Sequence, residues 1–241
     1  MPRARVVGSA AGSGLSSPRA ILFDFGGTLD ADGVTWKTRI CRLFAEEGVA
    51  PASDDDFDHV FYAVDDALTG DVPTTLSFQK TVSRLTGGVA SGLGVRDAAV
   101  GDRVARRFVE AALAHLRAHA PFLDRLRRRH ALAIVSNFYG NLQAVCSEAG
   151  IAPFFRALID SSCVGCRKPD PRIFQAALEP LEVTPARALF VGDSLPRDMA
   201  GARALGMPHI WLTPAPTPPD GPCCPGDRIV RALADLEGIL P

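Results

Sequence analysis

Asp24 and Thr28, Ser136 and Asn137, Lys168, and Asp193 and Asp198 come from widely separated stretches of this chain, yet their chemistry is complementary. They supply three carboxylates, two hydroxyls, an amide and an ammonium. Carboxylates gathered at one point repel unless a cation lies among them, and hard oxygen ligands with open positions favour Mg²⁺. A metal, an ammonium and the N-terminus of a helix after Ser136 suit a phosphate-like dianion. A carboxylate beside that dianion can act as nucleophile once the metal offsets the repulsion between them. Only three lysines (Lys37, Lys80, Lys168) occur among 26 basic residues, so an arginine-rich chain places a compact point charge at 168.

The elements that must position these residues are legible in the hydrophobic pattern. Ala20 to Phe25, closed by Gly26 and Gly27, reads as a buried strand ending in a tight loop. Further strands are predicted at 132–135, 157–159 and 188–191, with 209–212 as the last. Amphipathic helices alternate with them: 122–129 after Pro121, one through Leu142 to Ala149, one from Pro171, and one carrying Met199 and Leu205. Apolar strands alternating with helices give an α/β architecture, a parallel sheet covered on both faces. Ligands bind such sheets beyond the carboxyl ends of the strands, which is where the candidate residues fall.

Between the first strand and the rest the text is helical, with a Gly-rich interruption at Gly87–Gly94. The expected organisation is a disordered leader (1–19), an α/β core (20–33 and 120–241) and a small helical insert (34–119). A Pro-rich loop (Pro214 to Pro225) and a terminal helix (Arg228 to Leu236) close the chain.

Composition narrows the function classes. The 241 residues are 47% hydrophobic and 22% charged with a net charge of −1, which gives no electrostatic case for nucleic acid or an anionic membrane. No apolar run approaches the ~18 residues of a spanning helix. Six unevenly placed cysteines do not form a secreted disulfide framework, so the cytoplasm is the expected compartment. Nothing fixes an oligomeric state.

The run Asp24-Phe25-Gly26-Gly27-Thr28-Leu29-Asp30, then Ser136, then Lys168-Pro169-Asp170-Pro171, then Gly192-Asp193-Ser194 with Asp198, resembles the haloacid dehalogenase-like hydrolase superfamily. The motifs stand in family order, and the helical insert occupies the usual cap position. The resemblance implies a Rossmann-like three-layer core and a Mg²⁺-dependent hydrolase acting on a small phosphorylated molecule. Asp24 would be the nucleophile that forms an aspartyl-phosphate. Asp24, Asp193 and the backbone carbonyl of Gly26 would hold Mg²⁺, with Asp198 supporting it directly or through water. Ser136, with Thr28 and Asn137, would bind the phosphoryl oxygens, and Lys168 would offset charge between nucleophile and substrate. Cap hinges are expected near Asp32–Val34 and Ala118–Pro121.

One position departs from the pattern. Family phosphatases usually carry a second Asp two residues after the nucleophile as general acid and base, and here it is Gly26. General acid–base catalysis is typically worth ~10²–10⁴-fold, so unactivated esters should turn over slowly. Good leaving groups, a swing of Asp30 or Asp32, or a cap residue could compensate, and Gly26→Asp is expected to raise turnover ~10-fold or more. The alternatives are a catalytically weak ligand-binding or interaction protein, a 2-haloacid dehalogenase and, through Lys37 or Lys80, a phosphonatase.

Other conspicuous residues have plainer readings. Asp30 suits a loop or helix cap. Cys163 and Cys166 have metal or redox spacing but no second pair beyond Cys223-Cys224, and read as incidental thiols. His115 and His119, four apart on a helix, could bind a metal, but with no carboxylate at matching spacing they read as the edge of an apolar stripe. Arg127–Arg129 favours a helix end. Trp36 reads as core of the insert, with a substrate-facing place near Asp24 as the alternative that the resemblance implies.

Overall fold

The computed structural model describes residues 17–49, 53–214 and 228–240. The leader up to Ser16, most of the Pro-rich loop, and Cys223 and Cys224 lie outside the described residues.

Strands β1 (Ala20–Phe23), β2 (Ala131–Ser136), β3 (Ala157–Asp160), β4 (Ala188–Gly192), β5 (His209–Leu212) and β6 (Arg228–Val230) form one sheet. Its order is β3-β2-β1-β4-β5-β6, and every pairing is parallel. β1 is central because it is apolar on both faces. Ile21 and Phe23 join one hydrophobic cluster, and Ala20 and Leu22 the other. α6 (Pro171–Leu181) and α7 (Ala200–Ala204) cover the second face through Ile173, Phe174, Ala177 and Ala202. α5 (Leu142–Glu148), the helices between β1 and β2, and a terminal turn at Leu233–Gly238 cover the first.

The chain between β1 and β2 forms α1 (Trp36–Glu46), α2 (Asp54–Leu68), α3 (Phe78–Gly92) and α4 (Ala99–Leu126). Thr35, Ser53 and Ser77 cap the first three by accepting from Thr38, Asp56 and Lys80 N–H groups, each worth about 1 kcal/mol. Phe44, Phe57, Phe78 and Phe108 are fully or almost fully buried there, at roughly 1.5–3 kcal/mol each.

Three expectations are corrected. The Gly-rich stretch does not interrupt the helical text before Gly92, because Gly88 and Gly92 are close-packing positions. A Cβ on Gly88 or Gly92 would stand 2.6 Å from Val64 or Val60 of α2, and one on Gly101 would stand 3.0 Å from Gly87. α3 therefore runs on to Gly92. Pro121 does not separate two helices either: α4 passes through it. Leu116 and His119 before the proline and Phe122, Leu123 and Leu126 after it are all buried, and that packing outweighs a cost of ~3 kcal/mol. Finally, 209–212 is not the last strand. Arg228–Val230 pairs beside β5 as β6, and a short 3₁₀ turn follows in place of a terminal helix.

Candidate active site

Asp24 is the first residue past β1. Its N–H still donates to Val191 O at 2.9 Å, so the carboxylate emerges between the ends of β2 and β4. The chain then coils through a wide turn, Phe25–Leu29. Gly27 sits at φ +91°, and a Cβ there would run into the Asp193 carboxylate, so both backbone and space demand glycine. Past β4, the missing Cβ of Gly192 makes room for the Asp198 carboxylate. Ser194 N–H donates to Asp198 Oδ2 at 3.0 Å, Trp211 Nε1 to the Asp193 carbonyl at 2.8 Å, and Thr28 Oγ1 to Asp193 Oδ1 at 3.4 Å.

Lys168 joins these segments. Its Nζ stands 2.6 Å from Asp24 Oδ1 and 2.6 Å from Asp198 Oδ1, with 4% of the residue exposed. Asn137 fixes the lysine: its Oδ1 accepts from Lys168 N–H at 2.7 Å and its Nδ2 donates to Lys168 O at 3.1 Å. The amide expected to meet substrate lines the cavity and also holds the backbone of the lysine. Thr28 similarly faces Asp193, and buried Ser136 lines the cavity beside Asp24.

The cavity, about 90 Å³, is lined from the sheet by Asp24, Gly26, Ser136, Lys168, Asp193 and Asp198. Trp36, Lys37, Tyr62 and Asp65 line it from the intervening helices, with Tyr139 and Arg197 at its side. Burial, and then the charges of Asp24 and Asp198, push the Asp193 carboxyl well above its usual range. Burial also raises Asp198, against the pull of Lys168. Burial alone would lower Lys168, but the attraction of Asp198 and Asp24 raises it. Lys168 between them and Arg197 at the cavity's side leave the three acids short of compensating charge. Carboxylate oxygens of Asp24, Asp193 and Asp198 lie within 4.8 Å of one another, a hard-oxygen donor set that fits a divalent cation such as Mg²⁺.

Gly26 is roofed by Trp36: a Cβ on it would stand 3.0 Å from the indole Nε1 and 3.3 Å from Cδ1. Asp30 is fully buried and committed. It accepts from Gly27 N at 2.6 Å, Trp36 Nε1 at 2.8 Å and Arg39 at 2.8 Å. Asp32 is not among the residues lining the cavity and lies against Leu233 N (2.9 Å), His119 (3.3 Å) and His115 (3.7 Å). Neither can take the proton role of position 26 from its observed place.

Several contributors escaped the sequence reading. Asp160 closes β3 as Asp24 and Asp193 close theirs, and the same rule would have found it. It accepts from Gly140, Leu142 and Ser162 N–H groups, shaping the loop after Ser136, while burial raises its carboxyl. Asp65 accepts from the Tyr139 hydroxyl at 2.5 Å, and burial raises its carboxyl too. That pairing across 74 residues had no local signal.

Comparison with known proteins fits this geometry. A family model described as haloacid dehalogenase-like hydrolase matches residues 18–206. Haloacid dehalogenase-like hydrolase domain-containing protein 3 of Bos taurus is 43% identical over 110 residues, covering 46% of this chain and 43% of that one. Phosphoserine phosphatase of Thermus thermophilus is 38% identical over 110 residues, covering 45% and 44%. The matched stretch thus spans less than half of these relatives. A HAD-hydrolase structure from Bacillus subtilis, bound to magnesium, is similar in fold at a TM-score of 0.57 and 21% identity, over 93% of this chain and 99% of that one. Solved 2-haloacid dehalogenases share the fold as well.

Proposed function

The chain belongs to the haloacid dehalogenase-like hydrolase family, and within it we propose a Mg²⁺-dependent phosphatase of small phosphorylated molecules, working through an aspartyl-phosphate on Asp24. The observation that carries this reading is Lys168, buried between Asp24 and Asp198 at 2.6 Å from each, with Asp193 beside them. Three acids in one cavity suit a metal-assisted phosphoryl transfer better than halide displacement.

Lys168 occupies Oδ1 of Asp24, which leaves Oδ2 to attack phosphorus. The new bond forms from that oxygen as the bond from phosphorus to the leaving oxygen breaks. Ser136 is placed to hydrogen-bond the phosphoryl group, and Lys168 holds its charge. Water then attacks the aspartyl-phosphate, releasing phosphate and restoring the carboxylate. Asp24, Asp193 and the Gly26 carbonyl, with Asp198 directly or through water, would hold Mg²⁺, which when bound offsets the charge of the phosphoryl oxygens.

With Gly26, and with Asp30 and Asp32 committed elsewhere, the reading favours substrates whose leaving group needs little protonation; Asp65 of the cap lines the cavity but is hydrogen-bonded to Tyr139. Residues 34–119 act as a cap over the cavity, hinged near Asp32–Val34 and Ala118–Pro121. The free thiols of Cys41, Cys146, Cys163 and Cys166 support a reducing compartment, the cytoplasm. The roofing of Gly26 by Trp36 favours a second reading, a fold retained for binding with little turnover.

Phosphate release from acetyl phosphate, p-nitrophenyl phosphate and a panel of sugar phosphates decides between them. Mg²⁺-dependent release from the first two, lost in Asp24→Asn, supports the phosphatase. No release above the variant's background supports the binding protein.

A further inference from the structure

His119 and His115 lie one turn apart on α4, and the fold brings Asp32 to them from the loop after β1. Sequence spacing offered these histidines no carboxylate, and the tertiary structure provides one. His119 Nδ1 lies 2.9 Å from the Leu29 carbonyl, so that nitrogen must carry the proton, because a carbonyl only accepts. Nε2 of His119 faces Asp32 Oδ1 at 3.3 Å; burial alone would lower His119, but the hydrogen bond to Asp32 raises it, so a proton and a cation compete for this gap. His115 Nδ1 stands 3.7 Å from Asp32 Oδ2.

These separations bear on which of the two the gap suits better. A proton shared as a charge-assisted bond draws nitrogen and oxygen to about 2.7–2.9 Å. Two ligands each about 2.1 Å from a tetrahedral Zn²⁺ stand roughly 3.4 Å apart, which is the spacing found here. The supporting contacts match as well. Metal-bound histidines commonly give their other ring N–H to a backbone carbonyl, as His119 does to Leu29. Asp32 is itself oriented, by the Leu233 N–H at 2.9 Å and by a left-handed backbone at φ +44°. Two histidines four apart on a helix with one carboxylate leave a fourth position open, as in mononuclear zinc sites.

We propose that Asp32, His115 and His119 form a second metal site, selective for Zn²⁺ and separate from the Asp24 cluster. Asp32 lies at one expected hinge of the cap and His119 within the other, and Leu233 ties the site to the terminal turn. A bound Zn²⁺ clamps α4 to the loop that carries the nucleophile and slows cap movement. The clamp rests on the cap reading above, whereas binding of the ion does not.

The test is calorimetric titration of the whole protein with Zn²⁺ in excess Mg²⁺, alongside absorption spectra with Co²⁺. His115→Ala removes a half-buried ligand, and Asp32→Asn keeps an acceptor for Leu233 on a residue that tolerates positive φ. One Zn²⁺ per chain is expected, with affinity falling by about 10–100-fold or more in each variant. The Co²⁺ spectrum should be that of a tetrahedral site with nitrogen and oxygen ligands. No binding of Zn²⁺, binding unchanged in both variants, or thiolate bands from the cysteines would each overturn the proposal. Loss of phosphatase activity would leave it standing.

Discussion

The indole of Trp36 lies across Gly26 and donates its N–H to Asp30 at 2.8 Å, so one side chain closes two routes to a general acid. It fills the space that a side chain at 26 would need, and it helps to hold Asp30 in place. The ring cannot easily yield, packed as it is against Phe78, Phe108 and Phe138 with centroids 5.0–6.0 Å away.

Gly26→Asp alone is therefore expected to fall short of the ~10-fold gain that the sequence suggests. Overpacking against Trp36 should destabilise the fold by about 1–3 kcal/mol. Gly26→Asp with Trp36→Ala should recover turnover of an alkyl phosphate. Steady-state rates and denaturant unfolding of the two proteins check this, and a full gain in the single variant would show that Trp36 moves freely.

Asp30→Asn separates structure from catalysis. Its carboxylate is buried against Arg39 and two further donors, and breaking such a pair costs about 3–5 kcal/mol. Stability should drop, while the pH–rate profile with p-nitrophenyl phosphate keeps its shape. Loss of one limb of the profile would make Asp30 an acid catalyst after all.

Lys168→Ala leaves Asp24 and Asp198 facing each other and Asp193 without their shared cation. Activity should fall by 10² or more, and stability without metal by about 3–5 kcal/mol. Added Mg²⁺ should restore part of the stability and little of the activity. Equal loss with and without Mg²⁺ in thermal unfolding would argue against a cation at those carboxylates.

The carboxyl of Asp65 is raised by burial, so ionising it costs more in the folded protein than in the unfolded chain. The penalty is fully present at neutral pH, shrinks as pH falls through the raised folded value, and is gone below the ordinary value of about 3.9. Asp65→Asn, which still accepts from Tyr139, should stabilise the protein at pH 7, with the difference vanishing near pH 3. A constant difference across that range would place the effect in packing instead.

What the sequence disclosed and withheld follows from the range of the interactions. Asp24, Ser136, Lys168, Asp193 and Asp198 were legible because each follows a strand or a proline-marked loop, and a parallel sheet gathers those ends at one edge. β6 was not, since three residues after a Pro-rich stretch carry too little periodicity to tell strand from helix. The glycines of α3 looked like breakers because their partners, Val60, Val64 and Gly101, lie on neighbouring helices. Pro121 misled in the same way. The roof over Gly26 and the meeting of Asp32 with His119 arise only when α1 and α4 close over β1. No local pattern records such contacts.

The most direct test of the central claim is to find the phosphoryl group on Asp24. The protein would be mixed with acetyl phosphate and Mg²⁺, quenched in acid within a turnover, digested and read by mass spectrometry. Transfer from acetyl phosphate releases acetate and leaves one phosphoryl group on the peptide that contains Asp24, absent from Asp24→Asn. Steady release of phosphate with the label on another residue, or with no covalent label while water attacks the substrate directly, would contradict the account.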